Sequence, residues 1–226
     1  MIANTDIFKL TEAYFKQQAE IYGNDFYLET LPEPSLNEFY LQIKDCKRCK
    51  LWKHRTRFVF GTGNPDANLM CVGEAPGFDE DQQGEPFVGA AGQLLNRILK
   101  AIEFQREEVY IANIVKCRPP GNRDPEPEEA VQCLPYLKKQ IDLVKPKLIL
   151  ALGRIAAQYL LNVQASISEL RGKVHEIDGI KIVVTYHPAA LLRNAQLKRK
   201  TWEDVQQLRR LYDQIVGDKP EFQPDN

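Results

Sequence analysis

Between residues 68 and 216 the apolar positions alternate between short continuous runs and longer periodic ones. NLMCVGE (68–74), VYIANIVK (109–116) and KLILALG (147–153) have strand length and end in Gly-containing or polar turns. GAAGQLLNRILKAIEF (89–104), PEEAVQCLPYLKKQIDLV (127–144), RIAAQYLL (154–161) and LKRKTWEDVQQLRRLYDQIV (197–216) repeat apolar residues at helical spacing, with Pro135 predicting a kink in the second. HEIDGIKIVVTYHP (175–188) reads as hairpin-like, its second half a fourth strand. Strand and helix in alternation predict an α/β fold, a three-layer α/β/α sandwich around a central, mainly parallel four-stranded sheet. Residues 1–37 predict an N-terminal helical extension that ends at the turn signal LPEPS, residues 38–216 the main domain and residues 217–226 a tail. Internal repeats and low-complexity segments are absent from the sequence.

At 226 residues and 43% hydrophobic content the chain can bury one sizeable core. No stretch approaches the roughly 18 apolar residues of a membrane span, and MIANTDIFKLTEAYF lacks the basic and apolar regions of a signal peptide. A cytoplasmic, membrane-free setting is expected. The net charge of −1 hides an asymmetry, because KDCKRCKLWKHRTR (44–57) carries seven Lys or Arg and LLRNAQLKRK (191–200) carries four. Local basic faces of this kind are compatible with nucleic acid, although either cluster alone reads equally well as solvated surface.

Four of the five cysteines form a two-pair pattern: Cys46 and Cys49 in CxxC spacing, then Cys117 and Cys133 around the segment RPPGNRDPEPEE. In a reducing compartment such a set points to a metal centre rather than to disulfides. Four thiolates suit an iron-sulfur cluster or structural zinc, and spacing does not choose between them. Cys71, inside NLMCV, reads as core.

Chemistry-bearing residues gather at the predicted strand ends. Glu74, with Pro76 and Gly77, follows the first strand; Asn113 lies toward the end of the second; Gly153 ends the third; His187 and Pro188 end the fourth. In an open α/β sheet the carboxyl ends of the strands form the ligand crevice, so a Glu, an Asn and a His converge from distant positions.

At these residues the chain resembles the family 4 uracil-DNA glycosylases, the iron-sulfur branch of their superfamily. The likeness runs through CKRCKL (46–51), GEAPGFDEDQQGEPFVGAAGQLL (73–95), YIANIVKCRPPGNRDPEPEEAVQC (110–133) and HPAALLRN (187–194), and covers roughly residues 38–216. The resemblance implies a 4Fe-4S cluster on Cys46, Cys49, Cys117 and Cys133. It implies hydrolysis of the N-glycosidic bond of a uracil extruded from single- or double-stranded DNA, leaving an abasic site, by a monomer. His187 is then placed to donate toward uracil O2, Asn113 to read the N3-H and O4 edge, and Phe87 to stack on the base, with Gly73 and Ala75 beside it. Ala75 stands where the best-known branch of the superfamily carries a water-orienting Asp. Glu74 first, and Glu80 in the acidic loop FDEDQ second, are the carboxylates left for that role. Gly77 likewise replaces the bulky residue that excludes thymine in that branch. Leu191 or Leu192 fits a plug for the vacated stack, and Arg193, Lys198 and Arg199, with Lys200, fit phosphate contacts. Two other readings, a non-catalytic binder on the same fold and a relative that links covalently to DNA through an inserted histidine, are disfavoured. All three of Glu74, Asn113 and His187 are present, and His187 is the last histidine.

Overall fold

The continuous apolar runs become the centre of a sheet because they are covered on both sides. The computed structural model describes residues 4–23, 33–220 and 222. One unit, ending at Glu33, contains helix α1 (Asn4–Tyr22). The second, from Pro34, holds α2 (Leu36–Ile43), β1 (Thr62–Gly63), β2 (Leu69–Gly73), α3 (Phe78–Gln83), α4 (Ala90–Ala101), β3 (Tyr110–Asn113) and α5 (Pro127–Val144). It continues through β4 (Leu148–Leu152), α6 (Arg154–Leu161), α7 (Ile167–Leu170), β5 (Val174–Ile177), β6 (Ile180–Thr185), α8 (Pro188–Arg193) and α9 (Leu197–Ile215). The parts of the expected extension at residues 1–3 and 24–32 lie outside the described residues.

The sheet has six strands in the order β1-β3-β2-β4-β6-β5, which corrects the expected four. The four predicted strands are adjacent and mutually parallel, and β1 and β5 add antiparallel edges on either side. Every residue of β2, β3 and β4 is buried, as strands covered on both faces require. Alternate residues still part to opposite faces. Met70, Val72, Ile149 and Ala151 meet α2, α5 and α6 through Phe39, Leu137 and Ala156, whereas Leu69, Cys71, Leu150 and Leu152 meet α4 and α9 through Leu95, Leu99 and Leu208. Cys71 is fully buried, and burial pushes its thiol up to about 12.

The acidic loop expected at FDEDQ is part of helix α3, whereas α5 spans the expected residues, with Pro135 inside it. The C-terminal segment also packs on the domain: Arg209, fully buried, donates to the carbonyls of Ile102 (3.1 Å) and Pro220 (2.7 Å) and pairs with Glu103 and Asp213. Among the described residues no helix is long and apolar enough to cross a membrane.

Candidate active site

Parallel strands deliver their carboxyl ends to one edge, and the register pairs Gly73 at the end of β2 directly with Asn113 at the end of β3. Ile114 and Val115 continue that pairing by donating to the carbonyls of Gly73 (2.9 Å) and Glu74 (3.1 Å). A cleft of about 310 Å³ opens there, and its walls include Glu74, Ala75, Gly77, Glu80, Phe87, Asn113, His187 and Arg193. The strand-end residues expected to converge do so.

Asn113 is 2% exposed, and its Oδ1 is buried without a hydrogen-bond partner among the described residues. An orphaned buried carbonyl loses about 1–3 kcal/mol of hydration, so a donor from a ligand is the natural compensation. Gly73 makes the arrangement possible. A Cβ at that position would stand 2.5 Å from Asn113 Oδ1 and 2.6 Å from Phe87 Cζ.

His187 caps the N-terminus of α8, and the backbone N-H of Ala189 donates to its Nδ1 at 3.2 Å. That bond makes Nδ1 the acceptor and leaves the ring proton on Nε2. Desolvation, helped by the Arg193 charge and opposed by Glu80, pushes the imidazole down to about 4, so it is a neutral donor at neutral pH. The strand that carries it is anchored from α9: Thr185 donates to Asp204 (2.8 Å), which Arg171 grips with two nitrogens at 3.1 and 2.9 Å.

Phe87 is 5% exposed rather than set on an open loop. Its ring centre lies 5.5 Å from that of His187, too close for a base between them, so the two rings form one wall. The residue has a φ of 54°, a strained value for a bulky side chain. Arg106 holds it there, donating to the carbonyls of Phe87 (3.1 Å) and Pro86 (2.6 Å), and Gly92 gives the Phe87 carbonyl space that a Cβ would occupy.

The two carboxylates differ. Burial, with repulsion from Asp124 and a partial offset from Arg154, raises Glu74 to about 7. Glu80 is neither solvated nor free: Oε2 accepts from the Gly77 N-H (3.0 Å), and Oε1 from Val88 (2.9 Å) and Gly89 (3.0 Å). It thereby ties the GEAPG turn to the GEPFVG turn. Of the two leucines, Leu191 is 1% exposed and packs on Leu94 and Tyr186, which removes it as a plug, while Leu192 is 49% exposed. Lys198, Arg199 and Lys200 are exposed on α9. Asn122, Arg123 and Asp124 also line the cleft. They escaped the sequence reading because RPPGNRDPEPEE was read as the segment between two cysteines.

Cys46, Cys49, Cys117 and Cys133 line one small cavity behind this edge. The Tyr136 hydroxyl (3.2 Å) and the Arg48 N-H (3.4 Å) donate to Cys46 Sγ, Arg55 to Cys117 Sγ (3.3 Å), and the Lys116 N-H to Cys133 Sγ (3.3 Å). Burial raises Cys117 to about 11 and Cys133 to about 12, so these thiolates form only with a cation to compensate them. Among the described residues no group of three or more His, Cys, Asp or Glu side chains is arranged to hold a single metal ion as it stands. The donor set and its N-H···S bonds fit a cluster.

The model of the uracil DNA glycosylase superfamily matches residues 60–206. The chain is 45% identical over 182 residues to the type-4 uracil-DNA glycosylase of Archaeoglobus fulgidus, covering 77% of this chain and 92% of that one. To the type-4 enzyme of Sulfurisphaera tokodaii it is 47% identical over 186 residues, 78% of this chain and 84% of the other. A type-5 uracil-DNA glycosylase from Pyrobaculum aerophilum matches at 29% over 194 residues, covering 78% of this chain and 84% of that protein.

Proposed function

This chain belongs to the uracil-DNA glycosylase superfamily, in its type-4 branch, and we propose that the cleft around Glu74, Asn113 and His187 is where it cleaves an extruded uracil nucleotide. It is a uracil-DNA glycosylase, a hydrolase of DNA repair. The observation that carries the site is the orphaned Asn113 Oδ1 in a cleft shared with the neutral imidazole of His187.

Uracil presents a donor at N3 and acceptors at O4 and O2. Asn113 Oδ1 accepts the N3-H and its amide donates to O4, which cytosine, with an acceptor at N3 and a donor at its 4-position, cannot match. As the bond between C1′ and N1 breaks, its electron pair goes to uracil and the sugar becomes cationic. The His187 Nε2-H donates to O2, strengthening as negative charge develops there. Glu74, ionised, accepts a proton from the water whose oxygen bonds to C1′. Uracil takes up a proton from solvent as it leaves. Glu80 holds the two turns around the base, and its Oε2 stands 2.7 Å from where a Cβ on residue 77 would be. Its carboxylate thus fills the space that a bulky side chain there would use against the thymine methyl.

Extrusion costs a few kcal/mol of unstacking, and Leu192 is the side chain exposed to fill the gap. Arg193, on the cleft wall, takes a phosphate, and Lys198, Arg199 and Lys200 extend the basic track along α9. Incubation with uracil-containing single- and double-stranded oligonucleotides, scored for abasic sites, tests the reading directly; intact strands would end it. His187→Ala is expected to slow single-turnover cleavage by about 10²- to 10³-fold while DNA affinity stays near the parent's. Arg193→Ala should do the reverse, weakening binding and lowering its salt slope by about one phosphate contact. Equal affinity losses in both variants, with no chemical defect in the first, would move His187 from the leaving group to DNA docking.

Cys46, Cys49, Cys117 and Cys133 would hold a 4Fe-4S cluster. When bound it would join the 46–49 segment to the chain around 117 and 133 and leave electron transfer open to the protein. Anaerobically purified protein is expected to be brown with broad visible absorption. Cys117→Ser should abolish the colour and lower the melting temperature, whereas Cys71→Ser should keep the colour. Colourless protein with one zinc per chain would overturn the assignment.

A further inference from the structure

Phe78 is the one exposed Phe, Tyr or Trp among the described residues from Pro34 onward, at 56% exposure. It is neither loose nor isolated. It opens α3 directly after Gly77, whose N-H is held by Glu80 at 3.0 Å, so the backbone beneath it is fixed. The Arg118 guanidinium carbon lies 5.1 Å from its ring centre. Arg118 is itself oriented by a hydrogen bond from Nε to Asn122 Oδ1 at 2.7 Å. One side of the ring is therefore backed by a positioned cation, and the rest is open. Chain neighbours of both residues, Gly77 on one side and Pro119 on the other, line the cleft together with Asn122, so the pair sits on its rim.

Extruding a base strips one stacking face from each nucleotide that adjoined it. An aromatic ring backed by arginine at the rim of an extrusion site suits such a bared face, because every base has a π-surface and the strand brings negative charge toward the cation. We propose that Phe78, backed by Arg118, stacks on the nucleobase adjoining the extruded uracil. The inference rests on the cleft being the uracil site. It assigns Leu192 and Phe78 different tasks: the first fills the vacated space, the second receives a neighbouring base. Because stacking is sequence-tolerant, the contact should serve any neighbour, larger purines most strongly.

The test uses the whole protein with single-stranded oligonucleotides containing a cleavage-resistant 2′-fluoro-deoxyuridine flanked on one side or the other by 2-aminopurine, which brightens when its faces are bare. Phe78→Ala is expected to weaken binding about 10-fold, a typical loss for one base stack. Its complex should be brighter than the parent's at one flanking position, and the salt slope of binding should not change, since no phosphate contact is lost. Phe78→Trp should restore affinity and dim the probe. Excision of uracil from an unmodified strand by the parent is measured alongside. No excision by the parent would sink the site reading and this proposal with it. Excision by the parent, with Phe78→Ala matching it in both affinity and brightness, would sink the proposal alone and leave Phe78 to some other partner.

Discussion

Asn113→Asp is expected to exchange the enzyme's base preference, lowering uracil cleavage and opening cytosine cleavage so that their ratio changes by about 10⁴-fold. Asn113 is almost wholly buried at the end of β3, so a carboxyl group there would be pushed toward its protonated form. A protonated carboxyl offers one donor and one acceptor, the reverse of the amide's order when the donor faces N3. That is cytosine's complement. Uracil is matched only when the proton sits on the other oxygen, and the ionised carboxylate leaves its O4 without a donor in a dry cleft. Glycosylase assays on matched uracil and cytosine oligonucleotides at several pH values measure the exchange, with cytosine cleavage strongest at the acidic end where the new carboxyl is protonated. Parental discrimination at parental speed would show that residue 113 does not read the base.

The parts legible in the sequence are those fixed by local pattern. Buried parallel strands leave continuous apolar runs, so β2, β3 and β4 announced themselves, and the turn at Asp178 and Gly179, both at positive φ, marked the hairpin that pairs β5 with β6. Because the strands are parallel, knowing their ends was enough to bring Glu74, Asn113 and His187 together. What was illegible depends on partners far along the chain. β1 is two residues, Thr62 and Gly63, whose strand character comes from pairing with Ile111 and Tyr110 at the sheet edge. Glu80 sits among acidic neighbours that look solvated, and its three N-H donors come from turns on either side of α3. Adjacent leucines 191 and 192 carry the same local signal. Only the packing of α8 against α4 buries the first and leaves the second outside.

Glu74→Gln is expected to lower the single-turnover rate by about 10²- to 10⁴-fold and to remove its main pH dependence. The parent's rate should rise as pH increases through about 7, where burial and the Asp124 charge, partly offset by Arg154, place the Glu74 ionisation, and should level off above it. His187 adds no inflection in that range, since burial, helped by Arg193 and opposed by Glu80, keeps it neutral down to about 4. The same burial gives stability the opposite dependence. Glu74 holds its proton more tightly folded than at its ordinary value of 4.5, so the native state binds more protons between about 4.5 and 7, and stability falls as pH rises through that window. Above pH 7 the folded parent carries a poorly solvated carboxylate that glutamine lacks. Glu74→Gln should therefore melt higher than the parent at pH 8 and close to it at pH 4, trading catalytic charge for stability. Rate profiles and thermal melts at both pH values decide the point. A variant that kept the inflection near 7, or melted lower at pH 8, would assign that ionisation to another group and leave the attacking water without Glu74 as its base.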